Sequence, residues 1–318
     1  MFVTRKIETM TDLILHHYQN SPFSEKVRLV LGLKGVAWQS VIVPAVNPKP
    51  DVLALTGGYR RTPFMQIGAD VYCDTALMCR VIDRLHPEPA LYPAATAGLA
   101  EIVAQWADSA LFWSAVPYTM QPAAIGHVLP GATPDVLKAF GADRAAMNPN
   151  FRRPTPTDGA AHVQTQLARL EAMLADGRPF LLGAVPCIAD FSAAQSVWFM
   201  RLAPPIATVL DPFAKLGVWF ERVLAFGHGH PSKMTSAQAI AIAASSTPVA
   251  PSFEAEAGLA LGDEVTVTPT DYAHDPVAGQ LVGLGREEVV VARTDERAGQ
   301  VHVHFPRLAF QIKKTPLA

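Results

Sequence analysis

The spacing of apolar residues changes character twice along this chain, and that change limits the folds open to it. Up to about residue 88 short apolar runs alternate with stretches of helical spacing, from 93 to 246 the helical spacing continues alone, and beyond 254 apolar and polar residues alternate. A period of 3.6 buries one stripe of a helix and a period of 2 buries one face of a strand, so no single layered domain accommodates all three regimes. The 318 residues suffice for two or three domains. Half of them are apolar and only 17% are charged, which supplies cores and excludes global disorder.

In the first regime Leu13–His17 reads as a buried strand that ends at Gln19, Asn20 and Ser21. Pro22 suits a first helical turn, and Phe23, Val27, Val30 and Leu31 recur at helical spacing until Gly35. Trp38–Val43 is a second strand. A Pro-rich connection and a short helix ending at Gly57 and Gly58 lead to two strands, Pro63–Ile67 and Val71–Cys73, turned at Gly68. Asp74 opens a helix with Leu77, Val81, Ile82 and Leu85 on its apolar face. The order βαβ, helix, ββα is a thioredoxin-like arrangement, predicted for 12–88.

Six helices are predicted in 93–246: Leu99–Val116, Asp135–Met147, Ala160–Ala175, Ile188–Leu202, Phe213–Phe226 and Lys233–Ala244, with no strand among them. Pro117–Pro156 reads as an insertion around one weak helix. Ser245–Ser252 is a linker by composition. Five strands follow in 254–318, at Leu259–Val267, Val277–Val282, Glu288–Arg293, Gln300–Phe305 and Phe310–Lys313; they are expected to close into a small SH3-like β-barrel, since closure removes exposed edges. The expected fold is multidomain: α/β, then an all-α bundle, then β.

Net charge is −2 and no continuous basic stripe is present, so neither nucleic acid nor membrane is an expected partner. No run reaches the roughly 20 apolar residues of a membrane span, and no leader-like h-region opens the chain. The three cysteines, Cys73, Cys79 and Cys187, form no CxxC pair or metal spacing; Cys73 and Cys79 are expected to be buried, and a reducing cytoplasm fits. Met10 is an alternative start, which would make the first nine residues a dispensable arm. The pairs His228/His230 and His302/His304 invite a metal reading, but neither has a third ligand at suitable spacing, so surface histidines and no metal are expected.

Over about residues 12–246 the sequence resembles the glutathione transferases. The motifs in order are Asn20-Ser21-Pro22-Phe23-Ser24 with Lys26-Val27-Arg28-Leu29, then Thr62-Pro63-Phe64-Met65, then Asp74-Thr75, and in the helical half Phe180-Leu181-Leu182-Gly183 with Pro186-Cys187-Ile188-Ala189-Asp190-Phe191. Cys187 stands where that family usually has Ser or Thr, a weaker cap acceptor. The terminal β region lies outside the resemblance. The resemblance implies glutathione as co-substrate, a small apolar electrophile as the second, and a homodimer.

A free thiol is about 3% thiolate at pH 7, so chemistry requires a donor and a positive field at the sulfur. The resemblance places Ser21, at the start of the first helix, in that catalytic role; Tyr18 is a rival, and a plain N-cap with Pro at the first position also explains the motif. A cis Pro63 would let the Thr62 backbone pair with the cysteinyl part of glutathione. Asp74 and Thr75 would hold its γ-glutamyl end, with simple capping as the alternative. Arg61, and less directly Arg60, would pair with the glycyl carboxylate. Trp106, Phe112, Trp113 and Tyr118 are candidates for an apolar wall, or for core. A binding protein of the same fold that performs no turnover, its β region touching a macromolecular partner, is the competing reading.

Overall fold

The computed structural model describes residues 13–256 and 258–315; Met10 and the arm before it lie outside the described residues. Strand β1 (Ile14–His17) is followed by α1 (Pro22–Leu33), β2 (Ala37–Ile42), α2 (Pro50–Thr56), β3 (Phe64–Ile67), β4 (Asp70–Cys73) and α3 (Thr75–Leu85). β1 runs parallel to β2 and antiparallel to β3, which pairs antiparallel with β4. This is the expected thioredoxin-like domain.

The helical layer comprises α4 (Ala97–Trp106), α5 (Phe112–Thr119), α6 (Ile125–Val128), α7 (Pro134–Met147), α8 (Pro156–Met173), α9 (Ile188–Arg201), α10 (Pro204–Ala207) and α11 (Ala214–Leu224). A π-helical stretch, Ala107–Leu111, joins α4 to α5 and turns Asp108 toward the other domain. There Lys26 of α1, fully buried, donates to Asp108 at 2.6 Å and to Thr75 Oγ1 at 3.2 Å. Burial lowers the Lys26 pKa, but the charge and hydrogen bond of Asp108, with Cys79 and Asp74 nearby, together outweigh it, and the pKa is raised. Ser192 and Gln195 of α9 also donate to Asp108, at 3.3 and 2.6 Å.

Cys187 does cap α9, in a capping box with Asp190, to whose carboxylate its thiol also donates at 3.4 Å. The Asp190 carboxylate accepts from the Cys187 N–H at 2.9 Å, the Leu181 N–H at 2.8 Å and the Trp219 indole at 2.7 Å. One fully buried acid therefore ties the Phe180 loop, α9 and α11 together.

The end of the second region departs from the expected all-helical pattern. His230–Met234 forms a strand, β5, that pairs parallel with β2, before α12 (Ser236–Ser245). The sequence His-Pro-Ser-Lys-Met carries no apolar alternation because this is an exposed edge strand, and it belongs with the thioredoxin-like sheet rather than the helices.

The terminal region contains β6 (Glu264–Pro269), β7 (Val277–Leu284), β8 (Glu288–Asp295), β9 (Gly299–Pro306) and β10 (Phe310–Lys314). The strands pair in the order β10-β6-β7-β8-β9, and the curl brings Phe305 of β9 within 5.5 Å of Phe310 of β10, ring to ring. β10 returns to pair with β6, and the outer edge of β9 is covered by parallel pairing with β4, giving one continuous ten-stranded sheet. Arg293 of β8 adds a tie, donating to the Ala54 carbonyl at 2.6 Å near the end of α2 and packing where only Gly57, at φ +72°, leaves room.

Asp190→Ala orphans three buried N–H donors and a thiol and is expected to lower the stability of the helical layer by on the order of 4 kcal/mol, read as a shift in the urea midpoint at constant slope. Asp190→Asn, which keeps an acceptor, should lose less.

Candidate functional site

The register of the sheet brings the predicted site residues to one end. His16 lies opposite Phe64 in the β1–β3 pair, and Phe64 opposite Cys73 in the β3–β4 pair. The residues that leave those strand ends, Tyr18–Ser21, Thr62–Pro63 and Asp74–Thr75, are therefore neighbours. The Thr62–Pro63 bond is cis.

Ser21 is the N-cap of α1: it is buried, and its Oγ accepts from the Ser24 N–H at 3.2 Å, which leaves the hydroxyl proton free to donate elsewhere. Asp74 caps α3, accepting from the Ala76 N–H at 2.9 Å in a left-handed conformation at φ 74°. Both capping readings are thus part of the geometry, and neither uses up the hydroxyl protons of Ser21 and Thr75. Thr75 Oγ1 receives the Lys26 ammonium, so its own proton points to another acceptor.

Arg61 sits at this end too, but its guanidinium is already engaged. The terminal region sends the loop between β6 and β7 back over the site, where Asp271 forms a two-pronged ion pair with Arg61 and the Tyr272 carbonyl accepts from Nη2. The Arg61 guanidinium lies 3.9 Å from the centre of the Tyr272 ring. Its buried Nε has no hydrogen-bond partner among the described residues. Arg60 pairs with Asp143 of α7, in the insertion.

Two contributors escape sequence reasoning. Lys49, buried at the start of α2, donates to the Arg60 carbonyl and Thr62 Oγ1, each at 3.3 Å, and has no ion-pair partner among the described residues. Burial, with Arg144 and Arg60 nearby, brings its pKa down to about 8. Tyr272 meets Trp113 edge to face at 5.4 Å, and Phe151 meets the same indole at 5.0 Å. Of the four aromatics expected on the first long helix, Trp113 makes this wall, Phe112 is buried against Phe23, and Trp106 and Tyr118 pack on the core. No signal near residue 270 links it to residue 61, since the pairing depends on the path of the chain.

Beneath the Ser21 turn lies a polar core. Arg28 donates to His17 Nδ1 at 3.0 Å, so that nitrogen carries the lone pair and Nε2–H donates to Ser40 at 2.8 Å. Glu25 holds Arg28 at 2.6 Å and His228 at 2.9 Å, so His228 has a partner in the core while His230 lies exposed on β5. Burial opposes ionisation of Glu25, yet the His228 hydrogen bond and the Arg28 charge hold its pKa below the ordinary value. The three cysteines are buried and free, and burial pushes the Cys79 and Cys187 thiols up to about 12, so none is a nucleophile. His302 and His304 are not surface residues: the β4–β9 seam buries both and brings Asp70 to them from far upstream.

Two family models match the chain, the N-terminal domain of glutathione S-transferase over residues 15–90 and its C-terminal domain over 142–222. A solved GST-like protein from Pseudomonas syringae is 42% identical, covers 96% of this chain and 100% of its own, and superposes with a TM-score of 0.78. The chain belongs to the glutathione S-transferase superfamily. That structure's coverage takes in the terminal strands as well. More distant members share the fold alone: a glutathione S-transferase from Rhodospirillum rubrum, 20% identical at TM-score 0.52, covers 67% of this chain and 88% of its own. A beta-etherase from Sphingobium, 16% identical at TM-score 0.54, covers 68% and 96%. No curated protein matches the sequence. No helix among the described residues of this transferase-superfamily member is long and apolar enough to cross a membrane.

The histidines under the site make this superfamily member sensitive to acid. Burial, with Arg28 facing the ring, lowers His17 to about 3, and burial lowers His16 to about 4, against an ordinary 6.5. Between those values and 6.5 the unfolded chain binds protons that the folded chain refuses, so stability rises with pH by up to about 1.4 kcal/mol per unit for each histidine. Urea denaturation from pH 4 to 6.5 should show that slope, and His17→Gln should make it shallower by close to one proton.

Proposed function

We propose that the protein binds glutathione where Ser21, Thr62 and Thr75 converge and activates its thiol for attack on a small apolar electrophile. The observation that carries this reading is the presence of two helix N-termini, each with a hydroxyl whose proton is unspent, on either side of the Thr62–Pro63 strand end. A serine hydroxyl donating to sulfur within the field of α1 favours the thiolate. Thr75 would donate to the γ-glutamyl carboxylate, Asp74 would take its amine, and the Thr62 backbone would pair with the cysteinyl part as an added strand.

The glycyl carboxylate has a different anchor from the one the motif implies. With Asp271 paired to Arg61, that arginine offers only its leftover Nε–H, and Lys49 beside Thr62 carries the larger share. Trp113, Tyr272 and Phe151 form the apolar wall for the electrophile. The homodimer expected of the superfamily would be read by light scattering.

One observation favours the second reading, a glutathione-fold binding protein without turnover: a carboxylate of the chain itself, Asp271, already occupies Arg61. Calorimetric titration with S-methylglutathione, whose sulfur does not ionise, separates binding from thiol activation. Saturable binding is expected, weakened about tenfold by Thr75→Ala and by Lys49→Met, and tightened by Asp271→Asn. Affinity should fall as pH rises through about 8, where Lys49 loses its charge. Ser21→Ala should leave this binding intact and lower conjugation of an aryl halide about 10²-fold. Binding with no conjugation above the solution rate by the wild type would select the second reading; no binding at millimolar ligand would overturn the site.

A further inference from the structure

Away from this cleft, the seam where β9 joins β4 gathers a second set of chemistry-bearing groups. The register pairs Asp70 with His302 and Tyr72 with His304, so alternate residues of β9 present two imidazoles beside one carboxylate. All three residues are buried, at 2%, 9% and 5% exposure, and one ligand atom from each lies within 4.8 Å of the other two. Asp70 Oδ1 is 2.9 Å from His304 Nε2 and 3.8 Å from His302 Nδ1. The Val249 carbonyl of the linker lies 3.1 Å from His302 Nδ1, and the Val249 N–H donates to the other Asp70 oxygen at 3.0 Å.

We propose that Asp70, His302 and His304 form a site for a divalent transition-metal ion of the zinc type, which fastens the terminal strands and the linker to the thioredoxin-like sheet. Four ligands at about 2.0–2.1 Å in a tetrahedron stand about 3.3 Å from one another. The two separations from Asp70 Oδ1, 2.9 and 3.8 Å, bracket that edge, and all three ligand atoms lie within 4.8 Å of one another, so the imidazoles must draw together around the ion and His302 Nδ1 must give up its bond to the Val249 carbonyl. Two imidazoles and one carboxylate suit zinc, cobalt or nickel; the set lacks the thiolates of a copper(I) site and the oxygens of a calcium site. His304 has the outer support such ligands use, with Glu288 Oε1 2.6 Å from its Nδ1, leaving Nε2 for the ion. A cavity of about 610 Å³, lined by Asp70, Glu288 and His304 among others, opens onto the site and supplies an entry path and room for a solvent ligand. Without an ion the same groups satisfy one another by hydrogen bonds, so the competing reading is a buried polar clasp that needs no metal.

The test is calorimetric titration of zinc chloride into the full chain after chelator treatment, with cobalt(II) added in parallel for its visible absorption. One equivalent of zinc should bind, raise the thermal midpoint, and give with cobalt the intense bands of a four-coordinate ion. His302→Ala and His304→Ala should each weaken binding at least tenfold and abolish the thermal shift, provided near-ultraviolet dichroism shows the native fold. Glu288→Gln, which keeps the side chain's size, serves if either fails to fold. It should weaken zinc about tenfold and alter the cobalt spectrum while leaving the metal-free melting temperature in place, an outcome a purely structural role would not produce. His230→Ala, on the exposed β5 strand, should change nothing. Absence of saturable zinc binding by the wild type, or wild-type affinity for zinc in His302→Ala and Glu288→Gln, would overturn the site and leave the clasp.

Discussion

A lysine ammonium taken out of water must find an opposite charge, and Lys26 finds its own across a domain boundary. The ordinary positions on α1 that face the helical layer would be apolar, and here a charge stands among them with no exposure at all. Its hydrogen-bond partners among the described residues are Asp108, presented by a π-helical turn, and the Thr75 hydroxyl at the start of α3. That one ammonium therefore fixes three things relative to each other: the helix that follows Ser21, the helix that begins with Thr75, and the long helix that carries Trp113.

The terminal strands then finish what the first two domains leave open. They cover the β4 edge by direct pairing, tie down α2 through Arg293, and return a loop whose Asp271 and Tyr272 reach the Arg61 guanidinium. Without the terminal strands this face of the chain would meet solvent. Here it meets the chain's own aromatic and acidic side chains, and the anion-binding capacity of that corner is partly neutralised. The identity shared with the Pseudomonas syringae protein over almost the whole chain, terminal strands included, means that the three regions occur together in at least one other protein.

How much of this was legible follows from range. The strand and helix order, the cis bond context at Pro63, the caps at Ser21 and Asp74, and the buried cysteines all rest on residues close in sequence, and local patterns reveal them. The Asp190 bond to the Cys187 N–H is equally local, three residues from the cap it serves, whereas its ties to Leu181 and Trp219 are not. What stayed hidden depends on distant contacts. Nothing near His302 points to Asp70, nothing near Asp271 points to Arg61, and β5 has the composition of a loop because only its backbone takes part in the sheet. The β4–β9 pairing was hidden for the same reason, since nothing in the pattern of five short strands says that one of them will cover the edge of a distant sheet.

The continuous sheet has a mechanical consequence. Domains joined by a linker usually rock against each other, and a wall contributed by one of them opens and shuts as they do. In this chain any rotation of the terminal strands would have to break the β4–β9 ladder or twist the whole ten-stranded surface. The loop that carries Tyr272 is therefore rooted in the same sheet as the strand that leads into Ser21, and its displacement relative to Arg61 is governed by bending of a sheet rather than by the play of a hinge.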